Sequence, residues 1–391
     1  MSKEQATFRF DEKISPAKRA AVLNELIAQH LLVVGQTGSG KTTTTLSLLN
    51  RLQQLNQTTI VLDPTGEYAQ LPNVISYQLG NNAYLEPGTL SADELQEVLR
   101  LKLTPGLQNK LEQAINALRI QYNLVKQNSP YKNCGRKTTD YQHALEQLGT
   151  WATDYDISQL FNQLIEEFVV PYPDDRANYQ LLGQQYDRLA INRNWGLLTT
   201  IRERIESVMF TTIFDTRRHP GTFKTELNFI LKMFLSHRST HRTLVIDLSV
   251  LKDYEESQRA LISFLMKKIL KLRLRAHQEL PVNIVIDEAH RYLPQNEEQL
   301  ADNGIFQVLR EGRKLFLKVI LTTQSPLDLP ARLRSQFSNV VIHRLVDDNE
   351  INCLGNFANE TIKIKHLPVG NAYLKLLNQE MPVKVALPSW L

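Results

Sequence analysis

The amino-acid sequence predicts an α/β fold on a mainly parallel β-sheet, carrying a mostly helical insertion. Three observations predict it. Six short runs are almost continuously apolar and β-branched, helical patterns separate them, and a long segment of different character interrupts the series. Continuous rather than alternating hydrophobicity marks strands covered on both faces by helices, and strand–helix alternation implies a parallel sheet.

In chain order, residues 1–30 form an N-terminal segment, and the first strand is 31–34 (LLVV). A helix from Lys41 to Leu55 leads to a second strand at 59–62 (TIVL). The insertion, 91–240, opens on the capping box Ser91-Ala92-Asp93-Glu94 and continues in a helical stripe of Leu111, Ala114, Ile115 and Leu118. The core resumes over 241–391 with strands at 243–248, 282–286, 316–321 and 339–346 and a helix over 257–277. Runs at 372–377 and 382–387 read as a closing hairpin around Asn378-Gln379-Glu380. The core is therefore split between 31–90 and 241–391.

Composition excludes classes without choosing one. Hydrophobic residues make up 42% of the 391, so neither a disordered chain nor a fibre fits. Two cysteines, Cys134 and Cys353, rule out a disulfide framework, and the nine histidines show no zinc-peptidase spacing. The start lacks the apolar core of a signal peptide, and no apolar stretch reaches the roughly 18 residues of a membrane span. A cytoplasmic protein with no membrane partner is expected.

Gly35-Gln36-Thr37-Gly38-Ser39-Gly40-Lys41-Thr42 fits G-x-x-x-x-G-K-[ST] between a predicted strand and helix, the context that marks a P-loop. Glycines let backbone N–H groups converge on phosphate, and the following helix presents its positive end. ATP is the expected ligand, bound by Gly35, Thr37, Gly38, Ser39, Gly40, Lys41, Thr42 and Thr43. Lys41 would neutralise the β- and γ-phosphates, and Thr42 would ligate Mg²⁺. Asp287, ending the run VNIVI, is the second metal ligand, and Glu288 beside it can polarise the attacking water. His290 follows, as much a structural histidine as a coupling one. Gln324, at another strand end, reads either as a sensor of the γ-phosphate or as an ordinary polar turn. Asp63 and Glu67, in Asp-Pro-Thr-Gly-Glu-Tyr after the second strand, are expected to approach the nucleotide because parallel strand ends converge on one crevice.

The set GQTGSGKT (35–42), DPTGEY (63–68), VIDEAH (285–290), REGRK (310–314) and TTQSP (322–326) resembles the HerA/FtsK superfamily, and within it HerA-type ATPases. Strand 243–248 with Asp247 and the segment LPVGNAYLKLL (367–377) agree with the same pattern. The resemblance implies a RecA-like core assembled as a homo-hexameric ring with double-stranded DNA through its pore. It makes Arg313 the arginine finger acting in trans, with Arg310 as rival, and brings Arg344 near the nucleotide. Residues 1–30 are too short for the β-barrel that usually precedes such a core. Short HerA-like chains resemble those working with a nuclease, a Sir2-like protein or another effector in bacterial antiphage defence, which is the role expected. A nucleotide-gated scaffold without motor action and a conjugation or secretion ATPase are the alternatives.

Net charge is only +4, but its distribution is uneven. Residues 305–345 carry Arg310, Arg313, Lys314, Lys318, Arg332, Arg334 and Arg344 against Glu311 and Asp328, net +5, so the rest sums to −1. Lys267, Lys271 and Arg275, with Lys268 and Arg273 beside them, read as a solvated helix face, the alternative being a DNA track.

Overall fold

In a computed structural model of the chain, ten strands among the described residues form one sheet. The described residues are 7–149, 151–214, 223–237, 243–276, 279–294, 296–355, 357, 360–377 and 379–388. In chain order the strands are β1 (Phe8–Arg9), β2 (Leu31–Val34), β3 (Thr58–Asp63), β4 (Val74–Gln78), β5 (Thr243–Asp247), β6 (Val282–Ile286), β7 (Leu317–Thr323), β8 (Asn339–Ile342), β9 (Asn371–Lys375) and β10 (Glu380–Val385). Their spatial order is β1-β10-β9-β8-β2-β7-β6-β3-β5-β4. From β8 to β4 every pairing is parallel, whereas β8, β9, β10 and β1 pair antiparallel.

The apolar runs explain this order. Every residue of β2, β3, β5 and β6 is buried, as helices on both faces require. The helix Lys41–Gln54 buries Leu48, Leu49 and Leu52 in one cluster with Leu31, Val33, Val61, Val285, Ile320 and Val341. Each such side chain contributes about 1.5–3 kcal/mol when fully buried.

Register then delivers the chemistry to one edge. Ile286 pairs with both Leu321 and Leu62, so Asp287 emerges level with Thr322 and Asp63. Val34 pairs with Thr323, which sets Gly35 level with Gln324.

Several elements differ from expectation for identifiable reasons. The strand expected to run to 346 ends at Ile342, because the chain turns there against the 35–42 loop: Gln36 N donates to Arg344 O (3.0 Å). Phe316 sits in the left-handed region (φ 58°), so β7 starts one residue later. The edge strand β4 is half-buried throughout and lacks the apolar signal of the central strands. The helix expected over 257–277 spans Glu255–Ala276, with His277 outside the described residues. The closing hairpin forms from β9 and β10, and Asn378 also lies outside the described residues. Arg273 is neither solvated nor on a track. It is 1% exposed, and its guanidinium donates to the carbonyls of Leu235 (2.8 Å), Leu280 (2.6 Å) and Leu315 (2.9 Å).

The chain divides into two compact units, residues 1–79 with 229–391, and residues 80–228. The second is mainly helical, including Ala92–Val98, Pro105–Ile120, Thr138–Gln147, Leu160–Glu166 and Arg188–Glu206. Both bonds of the Ser91–Glu94 capping box form, and Leu111, Ala114, Ile115 and Leu118 are buried. They belong to separate helices, since Pro105 opens the next one.

Candidate functional site

The loop 35–42 closes on itself before it meets anything else. Ser39 Oγ donates to Gln36 O (2.6 Å), and Lys41 Nζ donates to Gly35 O (2.8 Å). Gly40 has φ +116°, a conformation side chains resist, and a Cβ on Gly35 would stand 2.5 Å from His343 Cβ. Lys41 is 7% exposed. Burial lowers its pKa, while the charges of Glu288 and Asp287 oppose that shift. The ammonium lies 4.0 Å from Glu288 Oε1.

Two elements that the motif does not contain brace this loop. His343, fully buried, holds Thr44 Oγ1 at 2.8 Å through Nε2 and Asn371 O at 3.0 Å through Nδ1. A carbonyl only accepts, so Nδ1 carries the proton and Nε2 accepts from the threonine. Gly370 N donates to Ser39 O (3.1 Å), which places the closing hairpin directly behind the loop.

Asp287 follows β6 with both oxygens engaged. Tyr68 Oη donates to Oδ2 (2.7 Å), and Thr322 Oγ1 donates to Oδ1. Glu288 N donates in turn to Thr322 Oγ1 (2.9 Å). Glu288 itself adopts the left-handed conformation (φ 47°, ψ 47°). For a residue with a Cβ that strain costs about 1–2 kcal/mol. It redirects the side chain toward the loop: Gln324 Nε2 donates to Glu288 Oε1 (3.3 Å), and Thr37 Oγ1 donates to Gln324 Oε1 (3.1 Å). Glu288 Oε2 is buried without a hydrogen bond, with His290 Nδ1 3.4 Å away and an ion pair only if that imidazole is protonated.

The structure thus brings together Thr37, Lys41, Asp287, Glu288 and Gln324. Gly35, Gly38, Ser39 and Gly40 shape the loop, and Thr42 and Thr43 open the helix behind it, Thr42 exposed. Two placements differ from expectation. Asp63 is fully buried, and its carboxylate accepts from Thr65 N, Thr65 Oγ1, Gly66 N and Tyr68 N. Its oxygens are spent on its own loop rather than turned to a ligand. Glu67 is exposed, and its pKa is raised by partial burial and the charges of Asp287, Asp63 and Glu288. It borders the carboxylates without a bond to them among those described. Arg313 is exposed in the turn Gly312–Leu315 ahead of β7, at the sheet edge opposite the loop. Arg310 lies 5.7 Å from the Phe306 ring, which Arg332 also flanks at 5.8 Å. Arg344 adjoins the loop through its carbonyl.

Thr42 and Asp287 offer a hydroxyl and a carboxylate, the hard oxygen donors that suit Mg²⁺, which keeps several waters and phosphate oxygens besides. Among the described residues no group of three or more His, Cys, Asp or Glu could enclose a metal.

The buried imidazoles of His343 and His30 have pKa values lowered from 6.5 to about 4, by burial first and then by the nearby charges of Lys41 and Arg313 respectively. The unfolded chain takes up these protons near pH 6.5 and the folded one does not. Their stabilisation is complete above that pH and is lost as pH falls toward 4, by up to about 1.4 kcal/mol per pH unit for each. We expect the stability difference between wild type and His343→Gln to shrink steadily from pH 7 to pH 5 in chemical denaturation. A pH-independent difference would refute this.

Residues 20–269 match the family described as the central domain of the helicase HerA. The DNA double-strand break repair helicase HerA of Sulfurisphaera tokodaii is 21% identical over 354 residues, which are 88% of this chain and 61% of that protein. The chain spans 55–64% of the length of the curated relatives it matches. Among solved structures, VirB4 of Thermoanaerobacter pseudethanolicus superposes with a TM-score of 0.61 at 12% identity, covering 92% of this chain and 90% of that one. The plasmid coupling protein TrwB in complex with ADP and Mg²⁺ gives 0.53 at 15%, covering 93% and 86%. These likenesses bear out the expected RecA-like P-loop fold, and no described helix is long and apolar enough to cross a membrane.

Proposed function

The chain belongs to the HerA helicase family of P-loop ATPases, and from that premise we propose that it couples ATP hydrolysis to movement along double-stranded DNA. The observation that carries this reading is the linked set Lys41–Glu288–Gln324–Thr37, in which the carboxylate that follows β6 meets the cation of the phosphate loop. Lys41 supplies the charge for the β- and γ-phosphates. Glu288, with one oxygen held by Gln324 and the other free of hydrogen bonds, is the group that accepts a proton from water. Gln324 connects it to Thr37, so a change at the phosphate reaches both. Magnesium, held by Thr42 and Asp287, would neutralise phosphate oxygens as charge develops.

We further propose a homo-hexamer in which Arg313 completes the neighbour's site, serving a nuclease, Sir2-like or other effector in antiphage defence. A ring repeats a modest basic surface six times, so weak charge per chain is compatible with a DNA track. Native mass determination and hydrolysis assays test it together. Expected are a hexamer with ATP and duplex DNA, severalfold stimulation by duplex, and no hydrolysis by Lys41→Ala. A monomer under every condition would sink the ring. Full effector function without hydrolysis would favour the scaffold reading over the motor.

A further inference from the structure

Asp287 is oriented by residues outside its own motif. Its Oδ2 accepts from Tyr68 and its Oδ1 from Thr322, one hydroxyl on each oxygen, and Glu288 N also donates to Oδ1 (3.1 Å). A carboxylate held this way keeps its remaining lone pairs in a fixed plane. The Tyr68 bond spans 219 positions of sequence. It exists because the loop 63–68 is built to deliver the phenol. Asp63 Oδ1 gathers the N–H groups of Thr65 and Gly66, and Oδ2 accepts from the backbone N–H of Tyr68 itself (2.8 Å). The Tyr68 ring is 1% exposed and packs in the same core cluster as Val61, Val245 and Val285. Ring and backbone are both fixed, so the hydroxyl has one place to go.

We propose that Tyr68 is a positioning residue for the magnesium carboxylate Asp287, and that the loop 63–68 serves metal binding through this bond rather than by touching nucleotide. The proposal rests on the nucleotide-site reading above and adds a determinant of its metal requirement. Partners that orient a metal ligand typically change metal affinity 10–100-fold when removed.

The test is Tyr68→Phe in the full chain, which keeps the buried ring and removes only the hydroxyl. Binding of a fluorescent ADP analogue is titrated with Mg²⁺, so that no hydrolysis is required. Half-saturating Mg²⁺ should rise at least about 10-fold, with affinity in EDTA unchanged within about twofold. In an Asp287→Asn background the same substitution should have no further effect, because the carboxylate through which it acts is gone. Thr322→Val should raise the Mg²⁺ requirement in the same direction. Superimposable titrations of Tyr68→Phe and wild type overturn the proposal. So does an equal loss of affinity in EDTA, or a loss that persists beside Asp287→Asn, since either marks a packing role. Failure of the wild-type chain itself to bind the analogue would overturn the nucleotide-site reading, and the proposal with it.

Discussion

Glu288→Gln is expected to bind ATP as wild type does and to hydrolyse it about 10²–10⁴-fold more slowly. The substitution preserves side-chain size and the left-handed backbone at this position, where strain is already present. A glutamine Oε1 still accepts from Gln324 Nε2, so the bridge to Thr37 survives. What disappears is the negative charge and the basic oxygen, the one buried without a hydrogen bond. Lys41 also loses a neighbouring carboxylate 4.0 Å away, which leaves the ammonium free for phosphate and argues against weaker binding. Single-turnover hydrolysis beside equilibrium ATP binding separates the two effects. A rate within about tenfold of wild type would remove Glu288 from the role of base. Lys41→Ala should lose binding and hydrolysis together, so the two variants fail in distinguishable ways.

Much of this site was legible because its chemistry is local. The phosphate loop is one contiguous octapeptide, and Asp287 and Glu288 stand together after an unbroken apolar run. Parallel pairing alone then carries Gln324 and Glu288 to the same edge as Lys41. What was not legible depends on register or on burial. The bond from Tyr68 to Asp287 and that from His343 to Thr44 join residues 219 and 299 positions apart. No spacing in the chain announces either. The hydrogen bonding of Asp63 was not legible because a strand-end carboxylate before Pro-Thr-Gly can face a ligand or fold back on its own loop. The N–H groups of Thr65 and Gly66 lie close enough to settle the matter. Arg273 was misread for a related reason. Its helix carries basic residues along most of its length, and only packing shows which one turns inward to satisfy three carbonyls.

Arg313→Ala is expected to lower the turnover of the assembled protein by about 10³–10⁵-fold, the usual worth of an arginine supplied to a phosphoryl-transfer site. The proposed role needs a second subunit. Arg313 precedes β7, and its charge is felt by His30, which immediately precedes β2. Both lie at the start of adjacent strands, whose far ends carry the phosphate loop and Gln324. The four residues of β2 alone separate the two edges by about 13 Å, farther than an arginine side chain extends. Within one chain Arg313 therefore does not meet the nucleotide, whereas an exposed guanidinium at an edge can enter a neighbour's crevice. Arg310, its rival, stands beside the face of Phe306 together with Arg332 and is less free to extend. The decisive measurement is complementation between two inactive variants. Arg313→Ala retains an intact phosphate loop, and Lys41→Ala retains an intact finger. In an equimolar mixed ring with head-to-tail interfaces, about a quarter of the sites pair an intact loop with an intact finger. Hydrolysis should reappear on mixing, in proportion to subunit exchange. If Arg313→Ala alone hydrolyses at the wild-type rate, or if mixing restores nothing while a hexamer forms, Arg313 is not the finger. Restoration by the corresponding Arg310→Ala mixture would then assign the role to its neighbour.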